Sequence, residues 1–333
     1  MKMQGLKQRR LLLTASAIAG AGASIGLPNL VHAQNAVWPG KTVKLVVAFA
    51  PGGPADIIAR LLSQRLSDRL KVPVVVENRV GAGGNIAAQA VSRSDADGYT
   101  LLVTTSAFTV NPSLSSNAGY DPVKDFAPIN IVAATPNIIV AAPTLDVKNL
   151  KDVFKLSKTM NMSYGTAGAG TTPHLCAEYL FKSLAKVDIV HAPFAGAAPA
   201  LNSLMGSQIQ LASVALAGAV PLIKAGKVKA LGITSPKRIS SLPDIATVAE
   251  QGYPGFDFAT WVGVLAPAKT PASVIERLNS ELNLILFIPE VQQQLDTAGF
   301  GVLGGTAEKA TQYIKAELQK YAKVVKEAGI TAS

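Results

Sequence analysis

Two glycine-rich stretches carry residue types that could bind an anion. "FAPGGPADIIAR" (49–60) runs from an apolar segment through two glycines into a helical pattern, and "YGTAGAGTTPH" (164–174) has the same plan. Pro54 and Pro173 suit the first helical turn, because proline has no N–H to leave unbonded there. The free N–H groups of a helix start carry part of the helix dipole and attract negative charge. These stretches therefore predict two turns able to hold a small anion.

Residues 49–56 are named the first glycine loop, and residues 164–172 the second glycine loop. Neither contains lysine or arginine, so an anion held there would depend on main-chain N–H groups, hydroxyls and bridging water. Thr171 and Thr172 could cap the following helix or donate hydroxyls. Asp56 could accept a hydrogen bond from a ligand or complement the helix dipole. Ordinary packing turns in a parallel sheet are the alternative for both loops.

Motifs for catalysis or metal binding are incomplete in this sequence. "GAGGNI" (81–86) has Ile86 where the dinucleotide motif needs a glycine, and Gly170 is followed by threonine where a phosphate-binding loop needs lysine. His174 and His191 are the only histidines after the first 33 residues, and their spacing fits neither a metal site nor a triad. We therefore predict no enzyme activity, no cofactor and no metal.

The elements that position these loops alternate along the chain. "VKLVVAF" (43–49), "VPVVVEN" (72–78) and "YTLLVTT" (99–105) are short apolar runs, typical of strands buried on both faces. An amphipathic stretch between the first two indicates a helix, so the pattern predicts parallel βαβ units. Phe49 and Trp261 could line a cleft, although core packing also accounts for Trp261.

A second series of elements follows "NIIVAAP" (137–143), and a segment at 255–267 leads into terminal helices. This order predicts an α/β fold of two lobes with two crossover segments and a cleft that closes by hinge motion. The predicted domains are residues 34–137 with 262–333 for lobe 1, and residues 138–261 for lobe 2. A single doubly wound sheet is the alternative that periodicity leaves open.

The first 33 residues read as an export signal. "MKMQGLKQRR" is basic, the following "LLLTASAIAGAGASIGL" is apolar but short for a membrane span, and "VHAQ" offers small residues for cleavage after Ala33. The arginine pair leaves Sec and Tat export as alternatives. Cleavage would leave 300 of the 333 residues in the periplasm. That length is near the point where chains divide into two domains.

The net charge limits the classes of binding partner, and the cysteine content limits how the core can be stabilised. The net charge of +10 falls to +6 without the four basic residues of the signal, and the remaining basic residues are scattered. This distribution argues against nucleic-acid binding. Cys176 is the only cysteine, so the core must be stable without a disulfide, and Cys176 itself is expected to be buried.

Taken together, these stretches carry a family resemblance. From about Pro39 to Gly329 the chain resembles tripartite tricarboxylate transporter receptors, the TctC or Bug family of periplasmic solute-binding proteins. The resemblance rests on stretches such as "VAFAPGGPADIIAR", "VPVVVENRVGAGGNIAAQAV", "YDPVKDFAPI" and "SYGTAGAGTTPHLCAEYLFK". It implies a fold similar to type II periplasmic binding proteins, whose two lobes close on a carboxylated solute like a Venus flytrap. It also implies transient delivery to a membrane permease.

The resemblance further implies which residues bind the solute. In the family, two loops grasp the ligand carboxylate, often through ordered water. On this sequence the first group would be Phe49, Ala50, Gly53, Pro54, Ala55 and Asp56, with Thr105 and Ser106 beside it. The second group would be Gly168, Ala169, Gly170, Thr171 and Thr172.

Two departures from the family pattern bear on the ligand. The family usually has proline where Ala50 stands, and "PYKG" where this chain has "PFAG" (193–196). Without the tyrosine hydroxyl and the lysine charge, that edge is more apolar. We expect a monomer that binds a dicarboxylic, amino or aromatic acid, with preference for a less charged acid over citrate. A sensor subunit that presents the same ligand to a signalling partner is an alternative role.

Overall fold

The computed structural model describes residues 38–114 and 118–328. Its strands follow the predicted order closely. They are β1 Val43–Val47, β2 Val74–Asn78, β3 Thr100–Thr105, β4 Phe126–Ala141, β5 Ser163–Thr166, β6 Val190–Pro193, β7 Leu211–Ala215, β8 Lys229–Ile233, β9 Ala259–Pro267 and β10 Gly301–Val302.

Helices separate most of these strands. They are α1 Pro54–Leu70, α2 Asn85–Ser92, α3 Ala107–Leu114, α4 Leu150–Leu156, α5 Thr172–Glu178, α6 Ala197–Met205, α7 Leu216–Lys224, α8 Ala272–Leu286, α9 Pro289–Thr297 and α10 Ala307–Ala328. A 3-10 turn, Ala82–Gly84, precedes α2, and α5 continues directly as the π-helix Tyr179–Leu184.

The predicted βαβ unit is present at the start of the described chain. β1 pairs in parallel with β2 and β3, as Val43 opposite Val74 and Leu45 opposite Leu101 illustrate. Between them, α1 buries its apolar stripe against the sheet, whereas Arg60 on its other side is exposed. This arrangement places the first glycine loop at the carboxyl end of β1, where ligands bind in open α/β sheets.

The long strand β4 was not recognised from the sequence. Residues 137–143 were named only as the apolar run that separates two series of elements, whereas β4 begins eleven residues before that run, at Phe126, because its first part pairs antiparallel with β9. This part was not recognised in the sequence because it contains Pro128 and Pro136, and proline within an apolar run argues against a paired strand. The register shifts near Pro128 and Ile131 are the irregularities that accommodate it.

β4 joins two halves of one hydrogen-bonded sheet. The strand order is β2-β1-β3-β9-β4-β7-β5-β6, with β8 and β10 also paired to β4. Its first part belongs to a core with β1, β3, α1 and α8, and its last part, from Ile138, belongs to a second core with β5, β7 and α6. β5 in the second half is parallel to β6 and β7. The domain boundaries at 137/138 and 261/262 stay predictions.

Several smaller expectations are settled by burial. Cys176 is a free, buried thiol, and burial raises its pKa well above the usual value. Trp261 packs in the first core, and its Nε1 donates to Glu317 Oε2 at 3.1 Å. Across 38–114 and 118–328, every helix is too short or too polar to cross a lipid bilayer. The predicted signal sequence lies outside the described residues.

Candidate ligand-binding site

A cavity of about 400 Å³ opens where several strand ends meet. Its volume lies within the range of small-molecule sites, roughly 300–1,000 Å³. Its walls combine glycine backbone, small apolar groups and two aromatic rings, and none of the described residues that line it is charged. The lining comprises Phe49, residues 81–85, Asn111, Leu114, residues 167–170 and residues 193–195.

A smaller recess adjoins the cavity and shares Phe49 and Ala167 with it. Its volume of about 20 Å³ offers room for about one water molecule. Three hydroxyl-bearing residues, Thr105, Thr171 and Thr260, line it together with small apolar residues. The remaining lining residues are Gly53, Pro54, Pro173, Ala197 and Ala215.

The residues predicted to bind the solute fall into three groups. Gly168, Ala169 and Gly170 line the cavity, and Phe49 lines both spaces. The recess is lined by Gly53, Pro54, Thr105 and Thr171. Neither space is lined by Ala50, Ala55, Asp56, Ser106 or Thr172.

Two residues of the third group meet each other directly. Ser106 Oγ and Thr172 Oγ1 form a hydrogen bond, and both side chains are buried. Their hydroxyls therefore tie the end of β3 to the start of α5. Ala50, another residue of this group, is also bonded within the protein, since its N–H donates to Ala195 O at 3.2 Å. The bond from Ala50 to Ala195 joins the first glycine loop to the segment after β6.

Asp56 holds the first glycine loop in shape. Its Oδ2 accepts hydrogen bonds from Gly52 N–H and Arg60 Nε, each at 2.9 Å. Its Oδ1 accepts from Asn78 Nδ2 at 2.9 Å, and the same amide donates to Phe49 O. Burial alone would raise the pKa of Asp56, but the donors Arg60, Gly52 and Asn78 together hold it below its usual value. Both oxygens thus serve the protein, so Asp56 shapes the loop.

Both helix starts lack a side-chain cap. Gly53 is the N-cap of α1, with Pro54 following it, and Thr171 is the N-cap of α5. The Thr171 hydroxyl, one of the two predicted caps, instead donates to Gly168 O at 2.8 Å. First-turn N–H groups without a cap keep the partial positive charge of the helix end. Both helix starts line the recess, so both are suited to attract an anion next to it.

Glycine is required where the second glycine loop approaches its neighbours. Gly170 has φ +76°, and a β-carbon there would collide with Asn111 Oδ1. Gly83, at φ +62°, would likewise collide through a β-carbon with Ala169 O. These two glycines let the turn at residues 81–85 lie against the second loop and close one side of the cavity.

Sequence reasoning missed this third turn. "GAGGNI" was tested only as a nucleotide motif, although it follows β2 and leads into α2 as the first glycine loop follows β1 and leads into α1. That strand-turn-helix plan was the signal that could have found it. Asn111 gave no signal, yet its Nδ2 donates to Gly83 O at 3.0 Å and to Asn85 Oδ1 at 2.6 Å.

Metal binding finds no support in the described part of the chain. No three His, Cys, Asp or Glu side chains gather there in a way that could hold an ion. The polar groups at the cavity are amide groups from Asn85 and Asn111 and the glycine backbone. Such groups favour an uncharged or anionic solute.

The chain is similar to known proteins in sequence and in fold. The family model described as "Tripartite tricarboxylate transporter family receptor" (TctC) matches residues 58–330. Protein BugT of Bordetella pertussis is 33% identical over 92% of this chain and 94% of its own length. The structure of R. palustris Rpa4515 with adipate has a TM-score of 0.85 and 34% identity, covering 88% of this chain and 99% of that one. MatC from Rhodopseudomonas palustris with bound malate has a TM-score of 0.82 and 32% identity, covering 86% and 99% respectively.

Proposed function

This chain belongs to the tripartite tricarboxylate transporter receptor family, TctC, and from that premise we propose that it binds a small organic acid between its glycine loops for delivery to a tripartite-type membrane permease. The match to the family model confirms the resemblance found in the sequence, and the similarity to the structure of the periplasmic binding protein BugD confirms the two-lobed α/β fold. Proteins of this family are periplasmic solute-binding receptors and not enzymes, as predicted. Cleavage after Ala33 stays a prediction.

The observation that carries the proposal is the set of donors at the site. Two helix starts without side-chain caps converge on one recess, and the lining residues of recess and cavity are uncharged. A carboxylate in the cavity beside this recess would be held by main-chain N–H groups, by the hydroxyls of Thr105 and Thr171, and by a bridging water in the recess. Hydrogen bonds to an ionised acceptor are about twice as strong as neutral ones.

The cavity favours an apolar ligand body. Phe49, Phe194 and Leu114 supply its large side chains, and alanine and glycine supply most of the rest. Fully burying a ring-sized apolar group contributes roughly 1.5–3 kcal/mol. A second buried carboxylate without a cationic partner would instead cost several kcal/mol. We therefore expect a monocarboxylic or aromatic acid to bind more tightly than a tricarboxylic one.

The relatives support the class of ligand. Rpa4515 was solved with adipate and MatC with malate, so two proteins of similar sequence and fold hold dicarboxylic acids. We propose the same chemistry for the proximal carboxylate of this chain's ligand. Phe194, which stands where the family resemblance would place a tyrosine, is proposed to shift preference toward a less charged distal group.

A binding panel tests the proposal. The mature protein is titrated calorimetrically with benzoate, adipate, malate and citrate, and thermal shifts are recorded in parallel. A ligand at 100 times its Kd should add about 2.7 kcal/mol to the free energy of unfolding. Phe194→Ala should weaken benzoate binding about tenfold and change malate binding little. Citrate binding more tightly than every monocarboxylate and aromatic acid would contradict the proposed preference.

A further inference from the structure

Two histidine rings lie stacked beneath the second glycine loop. The ring centroids of His174 and His191 are 4.1 Å apart with an interplanar angle of 28°. Tyr164 stacks on the other face of this pair, 5.0 Å from His191. His174 is 4% exposed, so its ring belongs to the interior of the fold. Neither ring lines the cavity or the recess.

Each ring contacts one end of the loop. His174 Nδ1 accepts a hydrogen bond from Gly170 N–H at 3.4 Å. His191 Nε2 lies 2.7 Å from Thr166 Oγ1. That hydroxyl oxygen in turn accepts from Gly168 N–H and donates to Gly168 O, both at 3.2 Å. The two rings thus support the backbone on both sides of Ala169, which lines the cavity.

The hydrogen bond from Gly170 defines the protonation of the His174 ring. Gly170 N–H can donate to His174 Nδ1 only while that nitrogen carries no proton, so the ring proton is on Nε2. The single Thr166 hydroxyl proton has two acceptors in reach, Gly168 O and His191 Nε2, so the bond to Thr166 fits either tautomer of His191. The network therefore requires an unprotonated Nδ1 on His174.

The surroundings keep both rings neutral. Burial lowers the pKa of His174, Glu178 on α5 raises it and Lys182 lowers it again. Burial also lowers the pKa of His191 to about 3, with His174 and Lys182 lowering it and Glu178 raising it. Glu178 is itself held by Lys182 and by the Tyr164 hydroxyl, so its charge is compensated locally.

We propose that His174 is a positioning residue of the carboxylate site, which fixes the second glycine loop by accepting the Gly170 N–H, with the His191 ring holding His174 in place. The inference rests on the proposed function of this loop. It assigns the Gly170 N–H to the protein and leaves the Ala169 N–H, which has no acceptor among the described residues, for the ligand. The arrangement resembles a capping box, because His174 is the third residue of the helix and reaches back to its start.

The role differs from packing alone. A leucine at position 174 would fill much of the same space, but it would leave the buried Gly170 N–H without an acceptor, an arrangement that proteins avoid. Asparagine would place its Oδ1 near the position of Nδ1 and could restore the hydrogen bond without a titrating ring. His174→Leu and His174→Asn therefore separate volume from hydrogen bonding.

The first measurement uses the ligand-free protein. Amide hydrogen exchange is followed by mass spectrometry in peptides covering residues 166–174 of wild type, His174→Leu and His174→Asn. Exchange should be at least tenfold faster in His174→Leu and close to wild type in His174→Asn. Phe256→Leu, which alters a buried ring of the same core that packs against Tyr179 and Phe258, controls for general loosening.

The second measurement is the Kd for adipate and benzoate by calorimetry. His174→Leu should bind about tenfold more weakly, and His174→Asn should recover to within about threefold of wild type. Equal exchange in His174→Leu and wild type, or failure of asparagine to restore both readouts, would overturn the inference. If neither acid binds wild type, the proposed ligand class fails, while the exchange data still decide whether His174 fixes the loop.

Discussion

The two glycine loops follow the same plan but are held by different chemistry. The first depends on an ionised group, Asp56, which bonds to Gly52, Arg60 and Asn78. The second depends on neutral hydroxyls and imidazoles. Both leave the helix start uncapped, so the difference concerns how each loop is fixed and not what it offers to a ligand. An ionised Asp56 is suited to the first loop because Arg60, one turn further along α1, compensates its charge. Neutral groups are suited to the second loop because it is buried against the stacked histidine rings.

The largest expected effect is on the second loop. Gly170→Asp should weaken carboxylate binding by more than 100-fold, because the side chain would collide with Asn111 and place a negative charge at the cavity wall. Calorimetric titration with adipate and benzoate measures the change. Gly226→Asp is the matched control, since Gly226 also has positive φ (+66°) but has nothing within 4 Å of a β-carbon. Unchanged affinity in Gly170→Asp would remove the second loop from the site.

Removing the charge that fixes the first loop should have the next largest effect. Asp56→Ala leaves the Gly52 N–H and the Asn78 amide without their ionised acceptor and should lower the free energy of unfolding by about 2–3 kcal/mol. Urea unfolding measures this change. Glu250→Gln, at an exposed pair with Arg238, should change stability little. If both variants lose the same amount, Asp56 is not a special support of the loop.

The loops should also differ in their response to acid. The pKa of His191 is about 3 in the folded protein, below the usual 6.5. The unfolded chain therefore takes up this proton first, so the stability contributed by neutral His191 is complete above pH 6.5 and declines as pH falls toward 3. Asp56, whose pKa is held below 3.8, contributes stability that is complete above about pH 3.8 and is lost as the pH falls further.

This comparison can be measured by unfolding at pH 7 and pH 5. From His191 alone, wild type should lose about 2 kcal/mol over that interval relative to His191→Gln, which does not titrate but can still hydrogen bond with Thr166. The difference between the two proteins in free energy of unfolding should therefore shrink on acidification. A difference that stays constant with pH would show that His191 is not held neutral by the fold.

The smallest expected effect concerns the bond between Ala50 and Ala195. Ala50→Pro removes the N–H that donates to Ala195 O at 3.2 Å, and a neutral hydrogen bond contributes about 1 kcal/mol. Affinity for the acid should fall about fivefold, whereas Ala50→Gly, which keeps the N–H, should bind within about twofold of wild type. Equal Kd values for the proline and glycine variants would mean that this bond does not help to hold the loops together.

Much of the architecture could be predicted because it depends on local patterns. Continuous apolar runs indicated β1, β2 and β3, and helical spacing indicated α1 and α10. The first part of β4 could not be found in this way, since its pairing with β9 outweighs the presence of Pro128 and Pro136. Pairing with the distant strand β9 thus stabilises a strand that the local sequence disfavours.

The candidate site was predictable to a similar extent. The glycine loops were found because proline and glycine have strong local conformational preferences. The engagement of Asp56 with Asn78, 22 residues away, and of Ser106 with Thr172, 66 residues away, could not be read from either neighbourhood. The assignment of individual ligand contacts in both loops stays a prediction.

The sequence by itself determined the alternation of strands and helices, the two strand-turn-helix loops without basic residues, and the family. Only the tertiary structure decided that the 81–85 turn and Asn111 join the cavity, that Asp56 faces the protein, and that two histidine rings lie under the second loop. The reason is that backbone preference acts over a few residues, whereas the hydrogen-bond partner of a side chain depends on which distant segments pack against it.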